Sequence, residues 1–373
     1  MASKFTLIAG AVLVAVACGA LVLATRPPEM LRDAANDGAK MVCSNVFLAG
    51  RDAEAVLAQD VQANDDPILN MLKVRVDQER KVVRAELLGF IGNGMAVYRP
   101  GTGCAVVADG DVAAAARYQY KPLPIWAPSP NVPWPTGSQP ETVAAVQALV
   151  DQDSLAGPGV RGLAVIYRGQ LIAQRYGAGF KASTPLPGGS MTRTVGEALA
   201  GIGIAEGKLS APKDGLLPVA AAQETAPAAP PLPQQLSLPH DRLFSPLGMS
   251  SATMEADARG NLSGAGDMYA STQDWARFSQ FLLQDGIWQG KRILPEGFVA
   301  SMRKAAPASS GTPEGRSSAA PPQPDTYWIQ GSGGQSIAIV PSKQLAIVRL
   351  GLTPQQPGYQ PQAMLAAILK AVD

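Results

Sequence analysis

Five short apolar segments, split between the middle and the end of the chain, constrain the fold most. Gly162–Tyr167 and Leu171–Tyr176 flank Arg168-Gly169-Gln170. Two apolar runs around an Arg-Gly turn predict a β-hairpin. Thr326–Gln330, Gln335–Val340 and Leu345–Leu350 read as three later strands, and Pro361–Val372 as a closing helix. Strands arriving in two groups, with helices between and after, predict an α+β fold. Its centre is one antiparallel sheet, two N-terminal plus three C-terminal strands, flanked by helices.

Helical periodicity marks Glu141–Val150 and Thr272–Asp285, the latter with Trp275, Phe278, Phe281 and Leu282 among its apolar residues. A further helix starts near Ser190 and carries Met191, Val195, Ala198, Leu199 and Ile202 on one face. It also holds Gly196, Gly201 and Gly203. Each glycine costs ~1 kcal/mol against alanine in an exposed helix, so close packing is expected around them. Gly207 offers a stop.

Lys4 precedes an apolar run from Phe5 to Ala24, about the ~20 residues that span a bilayer. Residues 1–25 are therefore a signal anchor or a cleaved signal peptide, with Val22-Leu23-Ala24 as the cleavage option and the anchor preferred. Either reading exports the rest, to a bacterial-type periplasm or the outer face of the inner membrane. The membrane is a partner through residues 5–24 if they stay attached. An exported compartment favours joining Cys43 to Cys104; the alternative is two buried free thiols.

Residues 26–42 read as a tether and 43–116 as a small N-terminal module. In that module Arg51–Gln62 is helical, and two alternating segments within 72–87 form a hairpin. Residues 117–140 are a linker rich in proline and tryptophan, and 141–373 form the main domain. Low-complexity stretches at 210–240 and 306–324 cannot build a core. The formal net charge is +1, without a basic cluster, which excludes nucleic acid as a partner. The single histidine, His240, is read as a surface residue. With so few ligands no metal site is expected, and no cofactor.

Ser190-Met191-Thr192-Arg193 has the form of a Ser-x-x-Lys element with arginine in the lysine place. Residues i and i+3 share a helix face, so the hydroxyl and the guanidinium head are neighbours. A lysine there can give up its charge and take the serine proton; an arginine stays protonated.

The chain resembles the beta-lactamase-related serine hydrolases over about residues 160–372. These include class C beta-lactamases, penicillin-binding proteins, esterases and 6-aminohexanoate-dimer hydrolases. The matching passages are 161–169, 189–195, Phe244–Met249, Met268–Phe278, Asp285–Trp288, Ile293–Gly297 and Gly334-Gln335. The stretch from Cys43 to Cys104 is similar to an N-terminal extension in one branch.

The resemblance implies four catalytic parts: a serine nucleophile, a lysine one turn later, a proton-shuttling tyrosine, and a Lys/His-x-Gly element on an edge strand. It places the nucleophile at Ser190 and the general-base position at Arg193. The tyrosine element falls in a helical subdomain that is largely missing, its place taken by Ser210–Asp241 without a tyrosine. The edge-strand element aligns as Ser332-Gly333-Gly334, without its cation, and the Ser190 and Gln335 amides are the implied oxyanion donors.

Three other matches are read as incidental: Ser210-Ala211-Pro212-Lys213, Ser301-Met302-Arg303-Lys304 and Tyr269-Ala270-Ser271. The expected protein is an exported hydrolase-like chain with impaired turnover that binds a small acyl, amide or peptide ligand. The alternatives are an active esterase or amidase using Ser190, with Asp267, Glu206 or another group near Ser190 as base, and a non-enzymatic binding protein or relic.

Overall fold

The computed structural model describes residues 21, 27–63, 66–209, 233–262, 268–305, 323–353 and 358–372. The apolar run at 5–24 lies outside them except for Leu21. Among the described residues no helix is long and apolar enough to cross a membrane. The chain divides into two units, residues 1–119 with 257–260, and residues 120–256 with 261–373.

In the first unit, helix α1 (Glu29–Phe47) packs on a four-stranded antiparallel sheet. Its strands are β1 (Leu72–Asp77), β2 (Val82–Leu87), β3 (Ile91–Arg99) and β4 (Gly103–Val106), in that order. The tether expected at 26–42 is corrected: Glu29 onward is helix, and Ala35, Ala39 and Val42 are fully buried. Small residues let the two backbones touch. A Cβ on Gly94 would lie 2.2 Å from the Ala35 carbonyl carbon, so only glycine fits there. The same small residues, interleaved with Arg32, Asp33, Asn36 and Asp37, made the segment look like linker. Cys43 on α1 and Cys104 on β4 are joined as a disulfide, with Cα atoms 6.1 Å apart.

The second unit is built on a five-stranded antiparallel sheet. Its strands are β5 (Val160–Tyr167), β6 (Gln170–Tyr176), β12 (Tyr327–Gly331), β13 (Gln335–Val340) and β14 (Leu345–Gly351). The order β12-β13-β14-β5-β6 joins the two groups of strands through β14 and β5, with Val348 opposite Ala164. Alternate residues face opposite layers. Leu163, Val165, Ile172 and Ile347 pack with helices α2 (Ala144–Val150) and α6 (Pro361–Val372). Ala164, Ile166, Ile337 and Val348 pack with α3 (Thr192–Ala205) and α4 (Thr272–Leu283). Helices on both faces explain why these strands read as near-continuous apolar runs.

Three short strands, β7 (Leu186–Pro187), β8 (Thr253–Met254) and β9 (Met268–Ala270), form a second sheet in the order β7-β9-β8. A β10–β11 hairpin (Ile287–Trp288, Lys291–Arg292) leads toward α5 (Phe298–Ala305). Residues 120–140 run without regular strands or helices, but they are not loose. Trp134 is fully buried, and the buried Arg277 donates to the carbonyls of Pro135 and Gly137.

Of the α3 glycines, Gly201 is packed as expected, since a Cβ there would sit 2.5 Å from Phe298. Gly196 has open space beside it, and its place in the helix has no packing reason.

Candidate active site

Ser190 is held out to solvent by a close-packed double glycine. Strand β7 pairs with β9, and the Gly188 amide continues the ladder to the Met268 carbonyl at 2.9 Å. A Cβ on Gly188 would lie 2.5 Å from the Trp275 ring. Gly189 is left-handed, with φ of +54°, a conformation L side chains rarely adopt. Gly189–Met191 make one 3₁₀ turn into α3. Met191, Thr192 and Val195 turn inward and are buried, whereas Ser190 and Arg193 are exposed. Neither the Ser190 hydroxyl nor the Arg193 guanidinium has a hydrogen-bond partner among the described residues.

The second half of the site arrives from the far end of the chain. The position a Cβ would take on Gly189 lies 3.2 Å from Ser332 Oγ and 3.3 Å from the Ser332 amide. Ser332–Gly334 is not a stretch of edge strand, as the alignment suggested. It is the turn between β12, the edge strand, and β13, with Gly331 opposite Gln335 and both Gly333 and Gly334 at positive φ.

The turn is fixed from behind. Gln335 clasps Gly351 at both ends, Nε2 donating to its carbonyl at 2.7 Å and Oε1 accepting from its amide at 2.8 Å. Arg349, fully buried, donates to the carbonyls of Gly334, Ala156 and Pro158 and to Thr353 Oγ1. Its guanidinium lies over the Tyr359 ring, 4.3 Å from the centroid. Burial pushes it down to about 10, still protonated at neutral pH. Carbonyl oxygens compensate this buried cation. The sequence signal was present: an arginine inside the apolar run Leu345–Leu350.

Among the described residues, neither Arg193 nor Glu206 can serve Ser190 as a base. Arg193 cannot accept a proton. Glu206 closes the opposite end of α3, on the order of 24 Å along the axis at 1.5 Å per residue, and is paired with Arg242 and Lys208. Asp267 and Ser210–Lys213 lie outside the described residues. Glu197 was not anticipated. It is half-buried one turn beyond Arg193, and burial pushes its carboxyl up to about 7 against the pull of the Arg193 charge. Two turns separate it from Ser190, about 10 Å of helix rise, so it meets the hydroxyl only through an intermediary.

The incidental motifs have structural employment. Ser271 caps α4 by accepting from the Asp274 amide, and Tyr269 is buried in the middle strand opposite Pro187. Ser301 donates to the Phe298 carbonyl within its own helix.

The surface reading of His240 is corrected: its relative exposure is 7%. Its Nδ1 lies 2.8 Å from Asp241 Oδ1, while Ser237 Oγ donates to Asp241 Oδ2. The carboxylate sits between the two, so the imidazole does not address that serine, and a nucleophile–base pair is not formed. Burial came through the edge-on Tyr120 ring, a contact no local pattern reveals.

No protein-family model matches the chain, and no curated protein matches it. Solved structures do. EstCE1, a hydrolase with promiscuous acyltransferase activity, is 15% identical, covering 61% of this chain and 97% of its own, with a TM-score of 0.44. A beta-lactamase from Mycobacterium bovis is 16% identical, with coverage of 61% and 99% and a TM-score of 0.41. A penicillin-binding protein homolog from Caulobacter crescentus is 13% identical, with coverage of 61% and 97% and a TM-score of 0.39. The solved proteins to which this chain is similar are thus beta-lactamase- and penicillin-binding-protein-like serine hydrolases, at low identity and over part of its length.

Proposed function

We propose that this chain is an exported serine-hydrolase-like protein that binds an acyl, amide or peptide ligand beside Ser190 and turns it over poorly or not at all. One observation carries the reading. Ser190 stands exposed, next to Gly189, which lies against Ser332, but the residue one helical turn later is Arg193. An attacking hydroxyl needs a group to take its proton, and a guanidinium cannot. Losing one member of a cooperative catalytic set costs ~10⁴-fold or more, and further losses add little. What remains is an exposed serine at a helix start, which suits ligand binding and slow reaction with strong acylating agents. Export is supported by the apolar run at 5–24 and the Cys43–Cys104 disulfide.

The test is labelling with a fluorescent fluorophosphonate and a fluorescent penicillin, comparing the native chain with Ser190→Ala and Arg193→Lys. Slow labelling that Ser190→Ala abolishes, without ester turnover, is expected. Catalytic turnover of any ester dependent on Ser190 overturns the impaired reading.

Glu197 favours a second reading, an esterase in which that carboxylate takes the Ser190 proton through a bridging water. Ser190 Oγ would then bond to the acyl carbon, the alcohol would leave with the proton, and water would release the acid. This reading requires a rate profile that rises through pH near the Glu197 value of about 7 and collapses in Glu197→Gln.

A further inference from the structure

The first unit gathers exposed apolar side chains at one end. Helix α1 and strand β3 run in the same direction. The start of α1 meets the start of β3, where a Cβ on Gly92 would lie 2.8 Å from Ala35 Cβ and 3.0 Å from the Leu31 carbonyl. Their ends meet where Phe47 stacks on Tyr98, with centroids 5.5 Å apart. The first turn of α1 therefore lies at the end of the sheet where β1 begins, β2 finishes and β3 begins. Met30 is 63% exposed there, Leu88 52%, Phe90 43% and Met71 39%. The β2–β3 turn is bound to the entry of β1, since the Leu88 amide donates to the Met71 carbonyl at 2.9 Å.

The fold does not ask for these residues. Leu88 has a φ of +55°, where glycine, asparagine or aspartate is favoured and a leucine is strained. The opposite end of the sheet shows the ordinary solution: the β1–β2 turn is Asp77-Gln78-Glu79-Arg80, with Asp77 accepting from the amides of Glu79 and Arg80. The apolar tip is also at the end where the chain enters the unit from the run at 5–24. The Lys73 stem lies 3.8 Å from a Cβ placed on Gly89, with Glu86 its cross-strand partner, so charges of both signs border the tip. Exposed apolar residues at a tip beside the chain's entry from an apolar run suit the boundary between headgroups and acyl chains of a bilayer.

We infer that the Leu88-Gly89-Phe90 tip, with Met71 and Met30, seats in the interface of a lipid bilayer beside the point where residues 5–24 enter it. The inference rests on the export part of the proposed function in its uncleaved, anchored form and is independent of Ser190. A tethered tip needs little affinity of its own, because the anchor supplies a high effective concentration.

The test uses the full chain in vesicles of phosphatidylethanolamine and phosphatidylglycerol, in a Cys18→Ser background with the native disulfide intact. A nitrobenzoxadiazole label on Phe90→Cys is compared with one on Gln78→Cys, using lipids that carry a shallow nitroxide quencher. Several-fold stronger quenching and a blue-shifted emission at position 90 are expected, both reduced by Met71→Gln with Leu88→Asn. Asparagine suits the left-handed turn, so folding is preserved. Alkaline carbonate washing of the same vesicles reports separately on residues 5–24. Equal quenching at 90 and 78 overturns the tip contact, whether or not the protein resists the wash. Strong quenching at 90 in protein that the wash extracts upholds the tip and removes the anchor.

Discussion

Glu197→Gln stabilises this protein in a pH-dependent way. Burial raises the Glu197 carboxyl from an ordinary 4.5 to about 7 in the folded state, and the Arg193 charge offsets part of that rise. At 1.36 kcal/mol for each pKa unit, the ionised carboxylate costs the folded state at most roughly 3 kcal/mol. The group is only half-buried, and solvent screening reduces this to ~1–2 kcal/mol. The sign follows from the folded value lying above the unfolded one. The folded state holds the proton more tightly, so the native chain is unpenalised below 4.5, loses stability as pH rises toward 7, and carries the full cost above. Glutamine removes the cost. Urea unfolding should show the variant more stable by ~1–2 kcal/mol at about pH 8 and little changed at about pH 4. Arg193→Gln, which removes the offsetting cation, should steepen the native pH dependence. An equal gain at both pH values, or a loss at the higher one, would refute a carboxyl desolvated beside Arg193.

Arg349→Met leaves the carbonyls of Ala156, Pro158 and Gly334 without their donor. A loss of ~1–3 kcal/mol is expected in denaturant unfolding, with faster amide exchange across Gly333–Gln335. Gly188→Ala drives a methyl to 2.5 Å from the Trp275 ring and should cost ~1–3 kcal/mol, read as a lower thermal midpoint. Replacing both Cys43 and Cys104 by serine opens a loop spanning 61 residues and should lower the stability of the first unit by ~4 kcal/mol on the chain-entropy estimate.

The elements were legible because their signals are local. Short near-continuous apolar runs marked β5, β6, β12, β13 and β14 to within two residues, and helical periodicity marked α4 and α6. From these followed one antiparallel sheet assembled from both groups of strands, helices around it and a helix starting near Ser190; that Ser190 is exposed came only from the folded chain. Helix α1 was missed because its buried face is alanine and glycine, which gives almost no hydropathy contrast even though it packs closely on β3.

Only the tertiary structure decided what surrounds Ser190. It set Gly189 against Ser332, turned the expected edge-strand element into a two-glycine hairpin turn, and placed Arg349 behind it in a shell of carbonyls. It buried His240 under Tyr120 and raised the Glu197 carboxyl. Desolvation and hydrogen-bond supply depend on which distant segments come to lie within a few ångströms. The residue types in Ser190-Met191-Thr192-Arg193 already fixed that its cation cannot act as a base; the folded chain determined which other groups come near the serine.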